Sequence, residues 1–223
     1  RGHPQVDAAG RLQFITGVAM DVTESRESRD HISRYVERLE RAMLHTVEAV
    51  SAMGELRDPY TAGHQRRVGE LAAAIGEAMG LPAPDVKGLR IAGYLHDIGK
   101  VSIPAEFLTK PKRLTPTEFA LVKSHARSGF EIIKNVDFPW PVALTVLQHH
   151  ERLDGSGYPD GIAGEAIILP ARIMAVADTV EAMASDRPYR AGLGIEAALA
   201  EVESQAGRLF DGQVVAACLA LLR

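Results

Sequence analysis

The chain contains a single cysteine, Cys218, among its 223 residues, so it forms no disulfide within itself. Cys218 lies in the apolar stretch from Val214 to Leu219, where a small buried thiol is more common than a nucleophile. A chain without disulfides is typical of a reducing compartment, and we therefore expect a cytoplasmic protein.

Long apolar runs are also absent. None reaches the roughly 18 to 20 residues that a membrane-spanning helix needs, so we expect no membrane segment in this chain. The chain begins at Arg1 without a signal-like segment, and we expect it to be a piece of a longer protein. Its hydrophobic content of 46% is sufficient for a globular core.

An excess of charge of one sign is missing too, because 25 lysines and arginines stand against 29 aspartates and glutamates, for a formal net charge of −4. A chain with this small negative net charge has no overall positive field that would attract a nucleic acid polymer. Any anionic substrate must therefore be held by local lysines and arginines.

Residues 1–23 carry the signals of a short β-hairpin. A turn signal at residues 7–10 precedes a β-like stretch at residues 11–20, which Gly17 interrupts. One hairpin of this length cannot bury a core alone. The stretch Gly10-Arg11-Leu12, followed by Gly17-Val18-Ala19-Met20-Asp21-Val22-Thr23-Glu24, resembles the last strand and exit of a PAS sensor domain. We therefore predict that residues 1–23 are the C-terminal fragment of a PAS-like domain.

Residues 24–56 are charged and helical in pattern. Apolar side chains recur there at alternating spacings of three and four, which is typical of a seam for a partner helix. They are Ile32, Val36, Leu39, Met43, Val50 and Met53. The pattern predicts a linker helix that pairs in a parallel homodimer, and an amphipathic helix packed on its own domain is the alternative.

From residue 57 onward the pattern is helix after helix, with proline or glycine in each gap. The predicted helices cover about 60–79, 83–98, 116–134, 140–150, 170–185, 195–206 and 211–222. No sheet is predicted beyond the hairpin. The predicted fold class is therefore all-α, a multi-helix bundle preceded by a β-hairpin remnant and a long linker helix.

Two adjacent histidines, His149 and His150, stand at the end of a predicted helix and before a loop rich in glycine. Two neutral imidazoles side by side suit a borderline transition metal. For a His-His pair alone, a solvated helix end is the more common interpretation. The rest of the chain decides between the two.

Other polar residues stand where a metal site would need them. His96 and Asp97 end a predicted helix, with Gly99 in its C-cap position and Lys100 beyond. A carboxylate has two oxygens and can bridge two cations. Asp178 interrupts a stretch that is apolar on nearly every side, which implies a buried helix. A buried carboxylate is costly unless it is bound to metal or paired, and a structural Asp-Arg pair is the alternative.

His64 and His125 complete an inventory of five histidines and two aspartates on separate predicted helices, which exceeds what one metal needs. Mixed nitrogen and oxygen ligation without cysteine fits iron or manganese, while zinc and nickel stay open. Two cations about 3.5 to 4 Å apart, bridged by Asp97, are typical of phosphoester hydrolysis. The residues therefore predict a hydrolase.

These motifs occur in one order along the chain: His64, His96-Asp97, Lys100, His125, His149-His150, Gly157-Tyr158-Pro159, Asp178 and Asp186-Arg187-Pro188-Tyr189-Arg190. The set resembles the HD-GYP group of HD-superfamily phosphohydrolases over roughly residues 50–222. The resemblance implies an HD-type helix bundle, with a catalytic domain at residues 57–223. It also implies hydrolysis of cyclic di-GMP at a two- or three-metal centre, giving linear pGpG and sometimes GMP.

The resemblance further implies a role for each motif residue. One metal would be held by His64, His96, Asp97 and Asp178, and the second by Asp97, His125, His149 and His150. Asp97 and Lys100 would be catalytic, with Lys100 at the scissile phosphate. Tyr158, Arg187 and Arg190 would bind the substrate, since planar arginine forks suit phosphate oxygens.

Two positions depart from the family pattern. Some members carry a glutamate one turn before the first histidine for a third metal, whereas Tyr60 stands there in this chain. We therefore expect two divalent ions, iron or manganese. Glu181 stands where an aspartate is common, three residues after Asp178, and this changes the contacts around the metal ligands.

Three functional hypotheses stay open. The first is a cyclic di-GMP phosphodiesterase that is regulated by an upstream sensor. The second is a hydrolase of another nucleotide, such as cyclic GMP-AMP, because metals recognise phosphate and not the base. The third is a non-catalytic module that binds a cyclic dinucleotide, against which the complete set of metal ligands argues.

Overall fold

A computed structural model describes residues 2–17, 21, 23–55, 63–110, 112–185 and 192–223. The chain forms two compact units, Arg1–Met43 and Leu44–Arg223. The predicted limits of the three domains, at residues 23/24 and 56/57, stay predictions.

The smaller unit contains the predicted hairpin. Strand β1 (Gly2–Val6) pairs with strand β2 (Leu12–Gly17) in antiparallel fashion. The turn between them is closed by Asp7, whose carboxylate accepts hydrogen bonds of 2.9 Å from the backbone N–H groups of Ala9 and Arg11. Residues 18–20 of the predicted β-like stretch, and residue 22 after it, lie outside the described part. The PAS-like origin of the hairpin stays a prediction.

Helix α1 (Thr23–Glu55) is the predicted linker helix. Its residues up to Met43 belong to the smaller unit, and those from Leu44 belong to the larger one. Three residues of the predicted seam, Ile32, Val36 and Leu39, are exposed to 63%, 48% and 67%, whereas Val47 is buried within the larger unit. The first part of α1 therefore carries an exposed apolar stripe, as far as the described residues show.

The regular elements of the larger unit are helices within its described residues, beside an isolated β-bridge between Ala206 and Phe210. Its helices are α2 (His64–Ala78), α3 (Ala83–Leu95), α4 (Ala105–Leu108), α5 (Pro116–Lys123), α6 (His125–Ile133), α7 (Val142–Gln148), α8 (Leu169–Ala184), α9 (Ile195–Ser204) and α10 (Gly212–Leu222). Two 3₁₀ helices, Ile98–Ser102 and Gly164–Ala166, lie between them. The all-α prediction is confirmed, since β1 and β2 form the only sheet among the described residues. None of the described helices has the length and apolar character to span a bilayer.

The predicted helix at 116–134 is two helices, α5 and α6, with Ser124 between them. The Ser124 hydroxyl donates to the carbonyl of Leu121 at 2.6 Å, which ends α5, and α6 then starts with His125. A side chain that satisfies the carbonyls of a last turn removes the need for the helix to continue. The first residue of α6 is thus the predicted metal ligand His125.

The prediction that Gly99 caps α3 is wrong. Helix α3 ends at Leu95, and Gly99 lies inside the following 3₁₀ helix. A Cβ atom at Gly99 would lie 1.9 Å from the carbonyl oxygen of His125, which no side chain could tolerate. Glycine is therefore needed for the close approach of this turn to α6, and that approach brings Asp97 next to His125.

Helix α8 is the buried central helix that the apolar stretch around Asp178 predicts. It packs against α2, α7, α9 and α10. Ile173, Met174 and Val176 are fully buried, and a buried side chain of this size contributes about 1.5 to 3 kcal/mol. Such burial holds the polar residues of α8 in fixed positions.

The interpretation of Cys218 as a buried thiol is confirmed. The side chain is fully buried in α10, and burial raises the pKa of the thiol to about 11. A thiol in this state is a poor nucleophile at neutral pH.

Candidate metal centre

The structure brings the seven predicted ligands together where several helices of the larger unit begin or end. His64 and His125 are the first residues of α2 and α6, His96 and Asp97 follow α3, His149 and His150 follow α7, and Asp178 lies in α8. They form three overlapping groups whose ligand atoms lie within 4.8 Å of one another. Ligation itself stays a prediction, but the donor atoms meet the distances that it requires.

The first group consists of His64, His96 and Asp178. The Nε2 atoms of His64 and His96 lie 3.3 and 3.9 Å from Oδ1 of Asp178. His96 Nε2 is buried and makes no hydrogen bond with any described residue. A buried imidazole nitrogen without a partner is costly. The position therefore fits a metal ligand.

The second group consists of His125, His149 and His150. The Nε2 atoms of His125 and His149 lie 3.4 Å apart, and the rings of His149 and His150 are 4.0 Å apart at their centroids. Burial lowers the pKa of His125, lowers that of His149 well below its ordinary value, and lowers that of His150 to about 3. These imidazoles are therefore neutral at pH 7, which is the form that binds transition metals.

Asp97 lies between the two groups. Its Oδ1 is 3.4 Å from His125 Nε2, while its Oδ2 is 3.4 Å from His96 Nε2 and 2.7 Å from Lys100 Nζ. Burial by itself would raise the pKa of Asp97, but the charge of Lys100 and then that of His96 hold this pKa well below its usual value. Asp97 is thus an ionised carboxylate with one oxygen directed to each group.

Three of the histidines are oriented by backbone carbonyls. In each case Nδ1 bonds to the carbonyl three residues earlier, in the helix that the histidine follows, so that Nε2 points into the site. The pairs are His96 with Gly93 at 2.6 Å, His125 with Val122 at 2.7 Å and His149 with Val146 at 2.7 Å. A histidine just after a helix can use a carbonyl that the helix leaves unpaired.

His64 is the first residue of α2, and the side chain of Glu181 orients its ring. Glu181 Oε2 bonds to Nδ1 of His64, while its Oε1 accepts hydrogen bonds of 2.6 Å from Arg67 and Ser185. Burial disfavours the charged form of His64, yet hydrogen bonds to Asp178 and Glu181 outweigh burial and raise the pKa of His64 to about 9. This part of the site thus favours a bound cation, either a proton or a metal ion.

The orienting role of Glu181 is not predicted by the sequence, which marks the residue only as a departure from the family pattern. The available signal is its spacing, since a residue three positions after Asp178 lies on the same face of α8. That face points toward the centre.

Glu181→Gln should weaken metal binding about 10- to 100-fold, because it removes the charge that orients His64 without removing a ligand. Isothermal titration of metal-free protein with Mn²⁺ measures this change, and saturating Mn²⁺ should restore most of the activity. Glu201→Gln, at an exposed position of α9, is the matched control. Unchanged affinity in the Glu181 variant would show that the carboxylate does not support His64.

The loop that carries Gly157-Tyr158-Pro159 is held beside the second group. Glu151 Oε1 accepts hydrogen bonds from the backbone N–H groups of Asp160 and Gly161 at 2.8 and 3.2 Å, and the N–H of Tyr158 donates to the carbonyl of His150 at 3.2 Å. The Tyr158 ring lies 4.6 Å from the ring of His150 at the centroids. The predicted substrate-binding tyrosine therefore adjoins a predicted metal ligand.

Glu151 is a second residue whose role the sequence does not predict. It is buried, and its backbone lies so close to Gly157 that a Cβ atom at Gly157 would be 2.4 Å from Glu151 Cα. The glycine is thus required for the loop to fold back onto the His149-His150 segment.

The predicted phosphate-binding residues are described only in part. Lys100 lies in the site, 2.7 Å from Oδ2 of Asp97. Arg187 and Arg190 lie outside the described residues, and so does Tyr60, on which the expectation of two metals depends. Their roles stay predictions.

Known proteins are similar to this chain over most of its length. A family model described as an HD domain matches residues 48–214. The chain is 43% identical over 176 residues to the cyclic di-GMP phosphodiesterase response regulator RpfG of Xanthomonas campestris pv. campestris, covering 78% of this chain and 47% of that protein. It is 37% identical over 171 residues to 3'3'-cGAMP-specific phosphodiesterase 3 of Vibrio cholerae, covering 75% of this chain and 37% of that protein.

A solved structure of a cyclic GMP-AMP specific phosphodiesterase of V. cholerae superposes with a TM-score of 0.60 at 20% identity, covering 79% of this chain and 48% of that one. The predicted HD-type bundle is therefore confirmed as the fold. The chain spans about half the length, or less, of the curated relatives described above.

Proposed function

This chain belongs to the HD-domain family, and we propose that its larger compact unit is a metal-dependent phosphodiesterase that hydrolyses cyclic di-GMP to linear pGpG. A second hydrolysis, of pGpG, would give GMP. The observation that carries the proposal is the position of Asp97, with one carboxylate oxygen toward His125 at 3.4 Å and the other toward His96 at 3.4 Å. A carboxylate in this position suits two cations at once.

The donor set fits two divalent transition-metal ions, iron or manganese, because it combines imidazoles and carboxylates and contains no thiolate. One ion would be held by His64, His96, Asp97 and Asp178, and the other by Asp97, His125, His149 and His150. When bound, such ions stabilise the charge on phosphoryl oxygens and lower the pKa of a coordinated water.

The chain's own residues would orient the substrate. Lys100 places an ammonium group 2.7 Å from Asp97, where it would donate to an oxygen of the scissile phosphate. Tyr158 would form a wall of the substrate site next to His150, and Arg187 with Arg190 would clamp phosphate oxygens.

Cyclic di-GMP is proposed as the substrate because a relative at 43% identity is named as a phosphodiesterase of that molecule. Cyclic GMP-AMP is the alternative, since a relative at 37% identity is named for it. The described site supports binding of phosphate and leaves the base open, so the two substrates must be compared directly.

A substrate panel tests the proposal. Protein loaded with Mn²⁺ is given cyclic di-GMP or 3'3'-cGAMP, and the products are separated by liquid chromatography. We expect pGpG to form from cyclic di-GMP with the higher kcat/KM. A higher value for 3'3'-cGAMP would establish the alternative substrate. Tight binding of either molecule without turnover would identify a non-catalytic binding module instead.

We also propose that α1 joins two copies of the chain and transmits the state of an upstream PAS-like sensor. The exposed stripe of Ile32, Val36 and Leu39 supports pairing. Transmission would pass along residues 56–63, which lead from α1 to His64. A shift of about 1.4 kcal/mol between two packing arrangements would change the active population tenfold.

The double variant Leu39→Glu and Met43→Glu should be monomeric, because it places like charges in the seam. Sedimentation velocity measures the change, and turnover in the full-length protein should then respond less to the sensor. Arg38→Glu with Arg41→Glu adds acidic charge elsewhere on the same helix and is the control. If the double variant is still a dimer and the sensor still controls its turnover, then α1 neither pairs the two chains nor transmits the state of the sensor.

A further inference from the structure

Lys123 is a cation beside the metal centre that the proposed mechanism does not yet use. It is the last residue of α5, two positions before His125. Its Nζ lies 4.8 Å from the centroid of the Phe119 ring and 5.2 Å from that of the Tyr158 ring. The ammonium group is therefore held next to the loop that the proposal assigns to the substrate.

Lys123 differs in its partners from three other lysines of the larger unit. Lys100, Lys110 and Lys134 each pair with a carboxylate. Lys123 is partly buried and forms no ion pair with a carboxylate of the described residues. Aromatic faces offset the loss of hydration of a cation only in part. The position is thus suited to an anion that arrives from outside.

The two aromatic rings that contact Lys123 are themselves held in place. Phe119 lies one turn earlier in α5, and this helix starts with a capping box between Thr115 and Glu118. Tyr158 is fixed in turn by its contact with the ring of His150 and by its backbone bond to the His150 carbonyl. One aromatic ring therefore separates the Lys123 ammonium from a predicted metal ligand.

We propose that Lys123 binds the second phosphate of the substrate, the one that is not hydrolysed. The inference rests on the proposed function, because a cyclic dinucleotide carries two phosphodiester groups and only one of them can lie at Asp97. Lys100 binds the phosphate at Asp97, and the Lys123 ammonium donates a hydrogen bond to an oxygen of the second phosphate. Lys123 is thus a binding residue, and its contact is the same in the ground state and the transition state.

Lys123→Gln tests this assignment with two substrates. Cyclic di-GMP has two phosphodiesters, whereas bis(p-nitrophenyl) phosphate has one. For cyclic di-GMP we expect KM to rise about tenfold with kcat nearly unchanged. The variant loses a contact to a charged group that is equally strong in the ground state and in the transition state. For bis(p-nitrophenyl) phosphate we expect no change in kcat/KM. Lys123→Arg should recover most of the lost affinity, because it retains the charge.

The control variant is Lys134→Gln, which removes a lysine that pairs with Glu131 at the end of α6. It should leave both substrates unaffected. Metal content and thermal midpoint are measured for every variant, and we expect Lys123→Gln to match the wild type in both.

Two results would overturn the assignment. An equal loss on both substrates would mean that Lys123 only supports the Tyr158 loop, and an unchanged KM for cyclic di-GMP would mean that the second phosphate is held elsewhere. Failure of the proposed function is recognised separately, in the wild type. Protein that cleaves bis(p-nitrophenyl) phosphate but not cyclic di-GMP would refute that function, and with it this inference.

Discussion

Asp97→Asn is expected to lose bound metal and turnover together. Asparagine keeps the shape of the side chain but has one carbonyl oxygen and no charge, so it cannot serve both groups of ligands. Loss of metal assistance costs several kcal/mol of transition-state stabilisation, and we expect turnover to fall by about 10³-fold or more. Elemental analysis of anaerobically purified protein and a cyclic di-GMP assay on the same sample measure both effects.

The control is Asp137→Asn, at an exposed position after α6. It should keep wild-type metal content and activity. Circular dichroism should show that both variants are folded. An Asp97 variant that retains full metal content and wild-type turnover would show that the carboxylate does not bridge the two groups.

Lys100→Ala is expected to keep its metal and lose most of its turnover. The ammonium group lies 2.7 Å from Asp97 and is assigned to the scissile phosphate, where charge builds up in the transition state. Contacts of this kind are commonly worth about 2.7 to 4 kcal/mol, or 10²- to 10³-fold in kcat. Steady-state kinetics with metal-loaded protein should show the loss in kcat and little change in KM.

Lys110→Ala is the matched control, because Lys110 pairs with Glu118 at 2.7 Å in the same unit. It should retain wild-type kcat. A wild-type rate in the Lys100 variant would mean that the phosphate assignment is wrong. A loss of metal in that variant would mean that Lys100 acts mainly by keeping Asp97 ionised.

The set of seven side chains could be predicted from the sequence because each one belongs to a short local motif. His96-Asp97 and His149-His150 are adjacent pairs at predicted helix ends, and Asp178 stands out as a charge within an apolar helix. Local motifs report residue type and position along the chain. The convergence of these side chains depends on how five helices pack. That packing was predicted from the resemblance to the family and not from the local motifs.

Contacts between distant segments could not be predicted in the same way. Glu181 orients His64 only because α8 packs against α2, and Gly99 is required only because α6 passes close to the turn after α3. Neither approach leaves a periodic signal in the sequence. The break at Ser124 could not be predicted for a different reason, since the apolar pattern continues from α5 into α6 and only a local hydrogen bond of the Ser124 hydroxyl accompanies the break.

Metal titration of turnover tests the central claim most directly. Metal-free protein receives increasing Mn²⁺ under anaerobic conditions, and the formation of pGpG from cyclic di-GMP is followed. The two groups of ligands joined by Asp97 predict that turnover reaches its plateau at two metal ions per chain. A plateau at three ions, or no turnover at any ratio of metal to protein, would contradict this account.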